Sequence, residues 1–375
     1  MVQIQTILVY EIKMKIGIIT YHRALNYGAA LQAFALSVKL KNLGHEAEVI
    51  DYRCNYIEGD YYKVLPKNIK SLKAIVKRIA NFPQKKKLAS TFRAFESENK
   101  YLSSKVYKLD TIKETNSIYD LFISGSDQIW NNYGSNSDYT YLLDFVDDYT
   151  KKVAYSASFG YQEIPKQVRA DYIRLLSQYN GISVRETSGA RIVSNLINKI
   201  VPVTCDPVLL LDELQWKELI DTSLNPHGDY ILCYFLRYNV TGFAEALKFA
   251  TAKGIKVIAI DNMYMQKKFH GIEMKSNVSL KEFVSLFANA AGVMTDSFHG
   301  TVFSLTFNKP FNTLLSRNVN VNSRIVDLLN MLELSSHMIY DFKESDWRRI
   351  DYKNVNQKIA IYRERSLEYL KKFIK

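Results

Sequence analysis

The opening unit of the chain constrains its fold more than any other feature. Lys15–Tyr21 (KIGIITY) is a short β-rich run, and Gly28–Leu43 (GAALQAFALSVKLKNL) keeps helical periodicity until Gly44 stops it. Glu46–Tyr52 (EAEVIDY) then returns to strand. Strand, helix and strand in that order form a βαβ unit, which implies a parallel sheet. The alternation continues. Strands are expected at Tyr119–Ser124, Lys152–Ser156, Gly181–Arg185 and near Val201–Cys205. A second series follows at Tyr230–Leu236, Ile255–Ile260, Gly292–Thr295 and Phe311–Leu315, with helices such as Thr241–Ala252 and Leu280–Ala291 in its gaps. Two series, each long enough for its own sheet, predict an α/β protein of two doubly wound, Rossmann-like domains. Their expected limits are 14–206 and 229–345, joined through the Pro- and Gly-containing stretch Asp206–Asp229 and followed by a C-terminal helix over 352–375. In such a pair the ligand belongs in the cleft, at the carboxyl ends of strands.

Composition narrows the class. Hydrophobic content of 47% and charged content of 23% exclude a disordered chain. No apolar run approaches the roughly 20 residues of a membrane-spanning helix. Cys54, Cys205 and Cys233 have neither disulfide-framework nor metal-ligand spacing, the pattern of a reducing cytosol. The N-terminus lacks the basic, apolar and small-residue blocks of a signal peptide, so a cytoplasmic protein is expected. The net charge of +12 is concentrated: Lys63–Lys108 holds thirteen Lys/Arg against Glu96 and Glu98, a balance of +11. Within this basic segment, 63–108, Leu72, Ile75, Val76 and Ile79 recur at helical spacing between Lys70, Lys73, Lys77 and Arg78. Such a helix packs its apolar stripe on the protein body, lies on an anionic membrane surface or steers an anionic substrate, and the first is the commonest use. No nucleic-acid-binding module surrounds it, so nucleic acid is not an expected partner.

Four loops could carry chemistry. The first, Thr295-Asp296-Ser297-Phe298-His299-Gly300-Thr301, follows a strand and opens a helix at about Thr301. A helix N-terminus suits phosphate or carboxylate, Gly300 permits close approach, and Ser297 and Thr301 add hydroxyls. His299 is the group able to exchange a proton near neutral pH. The second is Ile182-Ser183-Val184-Arg185-Glu186, whose arginine offers a planar fork for carboxylate or phosphate oxygens, or equally a structural pair with Glu186. The third, Ser124-Gly125-Ser126-Asp127, is a small-residue turn in which Asp127 could accept from a sugar hydroxyl. The fourth, Asn26-Tyr27-Gly28, reads equally well as a helix N-cap. The first βα turn is not G-x-G-x-x-G, and there is no P-loop, H-E-x-x-H or G-x-S-x-G. No metal site is expected. His22, His45, His227, His270 and His337 fall in turns or polar stretches and read as surface residues.

Taken in order, NYGAALQAFAL, DLFISGSDQIWN, ISVRE, CDPVLLL and TDSFHGTVFSLTFNKPF resemble the polysaccharide pyruvyl transferase family, from about Lys15 to Leu334. The last segment is the most specific; NYGAALQ alone is weak. The resemblance implies two Rossmann-like halves in a glycosyltransferase-B-like arrangement. It also implies phosphoenolpyruvate as co-substrate, no cofactor, and transfer of pyruvate as a cyclic ketal to a hexose of a surface polysaccharide or its precursor. Carried onto this chain, His299 is the candidate acid and Arg185 the candidate ligand of the donor's negative groups. Ser297, Gly300 and Thr301 would complete the donor side, and Asp127 or Asp296 would serve as base. Asn26, Gly28, Ser124, Gly125 and Ser126 would face the acceptor. That acceptor is a hexose-containing glycan, free or carried on a polyprenyl diphosphate, and the basic segment favours the lipid-linked form at the inner face of the cytoplasmic membrane. Two other readings stay open: a nucleotide-sugar-dependent glycosyltransferase on the same scaffold, and a non-catalytic glycan-binding member.

Overall fold

The computed structural model describes residues 13–54, 57, 72–131, 138–261, 269–317, 322–340, 347 and 349–374. Among these, one six-stranded sheet holds β1 (Lys15–Ile19), β2 (Glu46–Tyr52), β3 (Leu102–Tyr107), β4 (Leu121–Ser124), β5 (Lys152–Ala157) and β6 (Gly181–Val184), in the order β3-β2-β1-β4-β5-β6. A second six-stranded sheet holds β7 (Tyr230–Tyr234), β8 (Lys256–Asp261), β9 (Ile272–Ser276), β10 (Gly292–Thr295), β11 (Phe311–Leu314) and β12 (Met338–Ile339). Its order, β9-β8-β7-β10-β11-β12, repeats the winding of the first, and all pairings are parallel. The helices are α1 (Tyr27–Asn42), α2 (Leu72–Asn99), α3 (Arg169–Leu176), α4 (Thr187–Ile197), α5 (Glu213–Lys217), α6 (Val240–Ala252), α7 (Leu280–Asn289), α8 (Phe298–Thr306), α9 (Ser323–Met331) and α10 (Tyr352–Lys371). Winding reverses between β1 and β4 and again between β7 and β10. A crevice therefore opens at the carboxyl ends of those strands in each sheet. The architecture is the expected one: two Rossmann-like halves in a glycosyltransferase-B-like arrangement with a C-terminal helix.

Apolar packing joins the halves. Strands buried on both faces are nearly continuous in hydrophobic residues, as a sheet covered on both sides requires. Ile16 and Ile18 of β1 share one core with Leu232 of β7 and Val293 of β10. At its centre Tyr27 of α1 stacks on Phe283 of α7, ring centroids 4.5 Å apart, and donates its hydroxyl to the Val278 carbonyl at 2.9 Å. The C-terminal helix α10 returns to the first half. Ser366 Oγ accepts from the Cys205 N–H at 2.9 Å, and the Tyr369 hydroxyl donates to the Ala154 carbonyl at 2.9 Å.

Several expectations need correction. Val201–Cys205 makes only an isolated bridge, Val184 to Val203. The linking stretch 206–229 contains a 3-10 turn at Pro207–Leu210 and α5, with Leu210 and Trp216 buried. β3, β9 and β12 escape the sequence reading because each lies at or beside a sheet edge and carries exposed or half-buried positions that break the apolar run. His22, His45 and His337 are buried rather than on the surface. His22 bonds Asp51 at 3.2 Å and the Thr20 carbonyl at 3.1 Å, and His337 bonds the Phe311 carbonyl at 3.0 Å. In α2, Val76 and Ile79 are 60% and 52% exposed, so the stripe does not pack on the body there, and packing begins at Leu88. Lys70 and the side chains of Leu72, Lys73, Ile75, Lys77 and Arg78 lie outside the described residues. Among the described residues no helix is long and apolar enough to cross a membrane.

Candidate active site

The loop after β10 is held by its own polar groups. Ser297 caps α8, its Oγ accepting from the Gly300 N–H at 3.3 Å. The helix therefore opens at Phe298, not at Thr301, and His299 falls in its first turn. Thr295 Oγ1 donates to the Tyr234 carbonyl at 2.6 Å, and a Cβ at Gly300 would collide with that hydroxyl. Thr301 Oγ1 donates to the Ser297 carbonyl at 3.0 Å and lies 2.8 Å from Thr313 Oγ1. The polar groups of Ser297 and Thr301 are thus engaged in holding His299. Asp296 turns toward β7, where Oδ1 accepts from the Leu236 N–H at 2.6 Å. Burial pushes its carboxyl up to about 6, against the opposing backbone bonds at Leu236 and Arg237.

His299 meets the first half at one carboxylate. Its Nε2 lies 3.5 Å from Asp206 Oδ2, and the imidazole is buried. The same Oδ2 accepts from Arg185 Nη1 at 2.8 Å and from Ser126 Oγ at 3.2 Å. Arg185 Nη2 donates to Asp127 Oδ1 at 3.3 Å. Burial opposes the charge on Asp206, but His299 and Arg185 outweigh it and hold the carboxyl well below the usual carboxylate range. Burial likewise opposes ionisation of Asp127, and Arg185, His299 and Arg324 bring its carboxyl below its ordinary value. Arg185 is raised despite burial, through Asp127 and Asp206. The arginine fork is therefore already matched to two carboxylates, while its Nε remains buried without a partner.

Other residues singled out in the sequence fall around this cluster. Gly28 lies flat against the His299 ring, and a Cβ there would fall inside the imidazole. Asn26 caps α1, accepting from the Ala29 N–H at 3.2 Å. The single Ser126 hydroxyl proton is shared between the Asp206 carboxylate and the Ser156 carbonyl, 2.9 Å from Oγ, and the Ser126 N–H donates to Gln32 Oε1 at 3.2 Å. Ser124 donates to the Tyr141 carbonyl at 2.6 Å, and both serines are fully buried. Gly125 has φ +131 and Asp127 φ +73, the left-handed backbone that turns the chain there. The structure thus brings together His299, Arg185, Asp127, Ser126 and Gly28. Asp296 and Asn26 are engaged elsewhere.

Two participants escaped the sequence reading. Asp206 stands in the segment CDPVLLL, and its position after a buried run was the one available signal. Arg324 comes from α9, and nothing local marks it. Its guanidinium lies 5.6 Å from the centroid of Phe298, over which Arg185 also stands at 4.8 Å. With its amide turned to present oxygen, Gln128 accepts from Arg324 Nη1 at 3.0 Å. Burial, then repulsion from Arg185, lowers Arg324 to about 10. Both arginines line a cavity of about 190 Å³ together with Thr187, Asp206, Phe298 and Asp327. Among the described residues, no group of His, Cys, Asp and Glu could hold a metal.

Known proteins divide sharply by kind of comparison. Among solved structures, one assigned as a UDP-N-acetylglucosamine 2-epimerase from Listeria monocytogenes superposes with a TM-score of 0.52 at 9% identity, covering 96% of each chain. An S. aureus MnaA–UDP co-structure gives 0.48 at 13% identity, covering 95% of this chain and 91% of its own. The glycosyltransferase SnogD from Streptomyces nogalater gives 0.44 at 10% identity, covering 95% and 96%. At such identities the likeness concerns the fold alone. No curated protein matches the sequence. The model of the polysaccharide pyruvyl transferase family matches residues 26–317, which takes in every residue of the cluster except Arg324 and Asp327. The chain belongs to the polysaccharide pyruvyl transferase family.

Proposed function

We propose that the protein transfers pyruvate from phosphoenolpyruvate to two hydroxyls of one hexose, in a surface polysaccharide or its precursor, with release of inorganic phosphate. The observation that carries this reading is the meeting of His299 from the second half with Arg185 from the first on the single carboxylate of Asp206, with Asp127 held by the other arm of Arg185. Family membership supports the transferase class. The methylene carbon of the enol phosphate takes a proton and becomes the ketal methyl group. The carbon that bore phosphate gains bonds to two sugar oxygens, and its bond to the phosphate oxygen breaks. Of the two protons released by the sugar hydroxyls, one balances that delivered to the methylene and the other leaves with phosphate.

Each side chain has a task in that sequence. His299 is the acid for the methylene carbon, and Asp206 orients its ring. Arg185 stabilises charge on the departing phosphate, the kind of fixed electrostatic contribution that dominates many such steps. For the hydroxyl, geometry favours Asp127, which stands in the cluster, over Asp296, which stands at Leu236. Replacing His299 with Ala should lower phosphate release from phosphoenolpyruvate on the order of 10²–10⁴-fold. The melting temperature and phosphoenolpyruvate binding should stay close to wild type. Turnover near wild type would remove His299 from the reaction.

The acceptor is read as a lipid-linked glycan at the inner face of the cytoplasmic membrane. The exposed Val76 and Ile79 in the basic helix α2 support this, since an amphipathic basic helix with its apolar side uncovered suits an anionic surface. Neutralising Lys70, Lys73, Lys77 and Arg78 together should lower turnover on a lipid-linked acceptor more than on a soluble analogue. Equal losses on both acceptors would defeat the membrane reading.

A further inference from the structure

The cavity of about 190 Å³ between α4 and α9 carries three marks of an anion site. Arg185 lines it, is 4% exposed, and has a buried Nε without a partner. Arg324 lines it as well, so two guanidinium groups share one Phe298 ring beside one space. The third mark is a carboxylate already in position. Helix α4 begins at the cavity, and Glu186 at its N-cap provides no side-chain cap. Thr187 instead gives both its N–H and its hydroxyl to Asp327 Oδ2, each at 2.7 Å, across the boundary between the halves. The start of an eleven-residue helix is thus closed by an anion brought from the other half. Arg324 and Asp327 stand three residues apart on α9, so one helix face presents both to the cavity.

We propose that this cavity is the subsite for the phosphate group of the ligand, and that Asp327 holds its place in the free protein. The incoming phosphate takes the Thr187 N–H and hydroxyl and the Arg324 guanidinium beside Arg185, and Asp327 gives way. The proposal rests on the reading of phosphoenolpyruvate as donor and names where its phosphate enters. Asp206 lines the same cavity and meets His299, so one carboxylate joins the cavity to the acid.

Calorimetric titration of wild type, Asp327→Asn, Arg324→Gln and Arg324→Lys with inorganic phosphate, phosphoenolpyruvate and UDP tests this. Asn retains the volume and an acceptor for Thr187 but not the competing charge. Asp327→Asn should therefore bind phosphate and phosphoenolpyruvate roughly tenfold more tightly, a gain that a merely structural residue would not give. Arg324→Gln should bind both roughly tenfold more weakly. Arg324→Lys should fall between, because charge is kept and the fork lost. Unchanged or weaker binding by Asp327→Asn overturns the proposal, whether or not the Arg324 variants fold. If phosphoenolpyruvate binds all four proteins alike, the donor reading stands and the subsite falls. If UDP alone binds and follows the same variant pattern, the phosphate subsite stands and the donor reading falls.

Discussion

Gly28 shows how closely the two halves depend on each other at single-residue scale. It is the second residue of α1, and its missing side chain leaves the space that the His299 imidazole fills from the other half. A methyl group there meets a side chain that can rotate, not backbone, so the chain can fold by displacing His299. Misplacement of a reacting group by about 1 Å costs on the order of 10²-fold in rate. Gly28→Ala should accordingly lose turnover on that order while losing few degrees of melting temperature. A variant with wild-type turnover would place the productive His299 conformation elsewhere. The sequence pointed to Gly28 for a different reason, as a member of an acceptor loop. Its contact lies 271 positions further along the chain (299 − 28), and no local pattern encodes it.

At the scale of elements, the loops after β7 and β10 are joined through Asp296 and the Leu236 N–H. The Asp296 carboxyl titrates near 6 in the folded protein, above its ordinary value near 4. The folded state therefore binds this proton more readily than the unfolded chain. Its contribution to stability is fully present below about pH 4 and is lost as pH rises through about 6. Asp296→Asn keeps an acceptor for Leu236 without the charge, so it should stabilise the protein at pH 7.5 by about 1–3 kcal/mol. Melting curves from pH 4 to 8 check this: the gap should close toward pH 4, and a gap that widens in acid contradicts it. Turnover of the same variant also bears on its candidacy as base. The elements most legible in the sequence are those whose apolar periodicity is complete, such as β1, α1, β2 and β10. Edge strands β9 and β12 were hidden because partial exposure breaks that pattern. Helix α8 starts three residues before the expected Thr301 because Ser297 caps it.

For the whole molecule, two Rossmann-like halves meet over one charged cluster. The Tyr27–Phe283 stack and the return of α10 fix the halves, and Asp206 receives a group from each. The sequence reveals the two windings and the two strongest loops because hydrophobic pattern and Gly/Ser turns are local. It does not reveal Arg324, which reaches the site only when α9 packs against α4. The most direct test of the whole account is a thermal-unfolding titration with phosphoenolpyruvate, with UDP and GDP as comparators, on wild type and Arg185→Ala. A ligand bound only by the folded state raises the melting temperature with the logarithm of its saturation. The account predicts a concentration-dependent rise with phosphoenolpyruvate that is lost in Arg185→Ala, and none with UDP or GDP. A rise with a nucleoside diphosphate and none with phosphoenolpyruvate would contradict it.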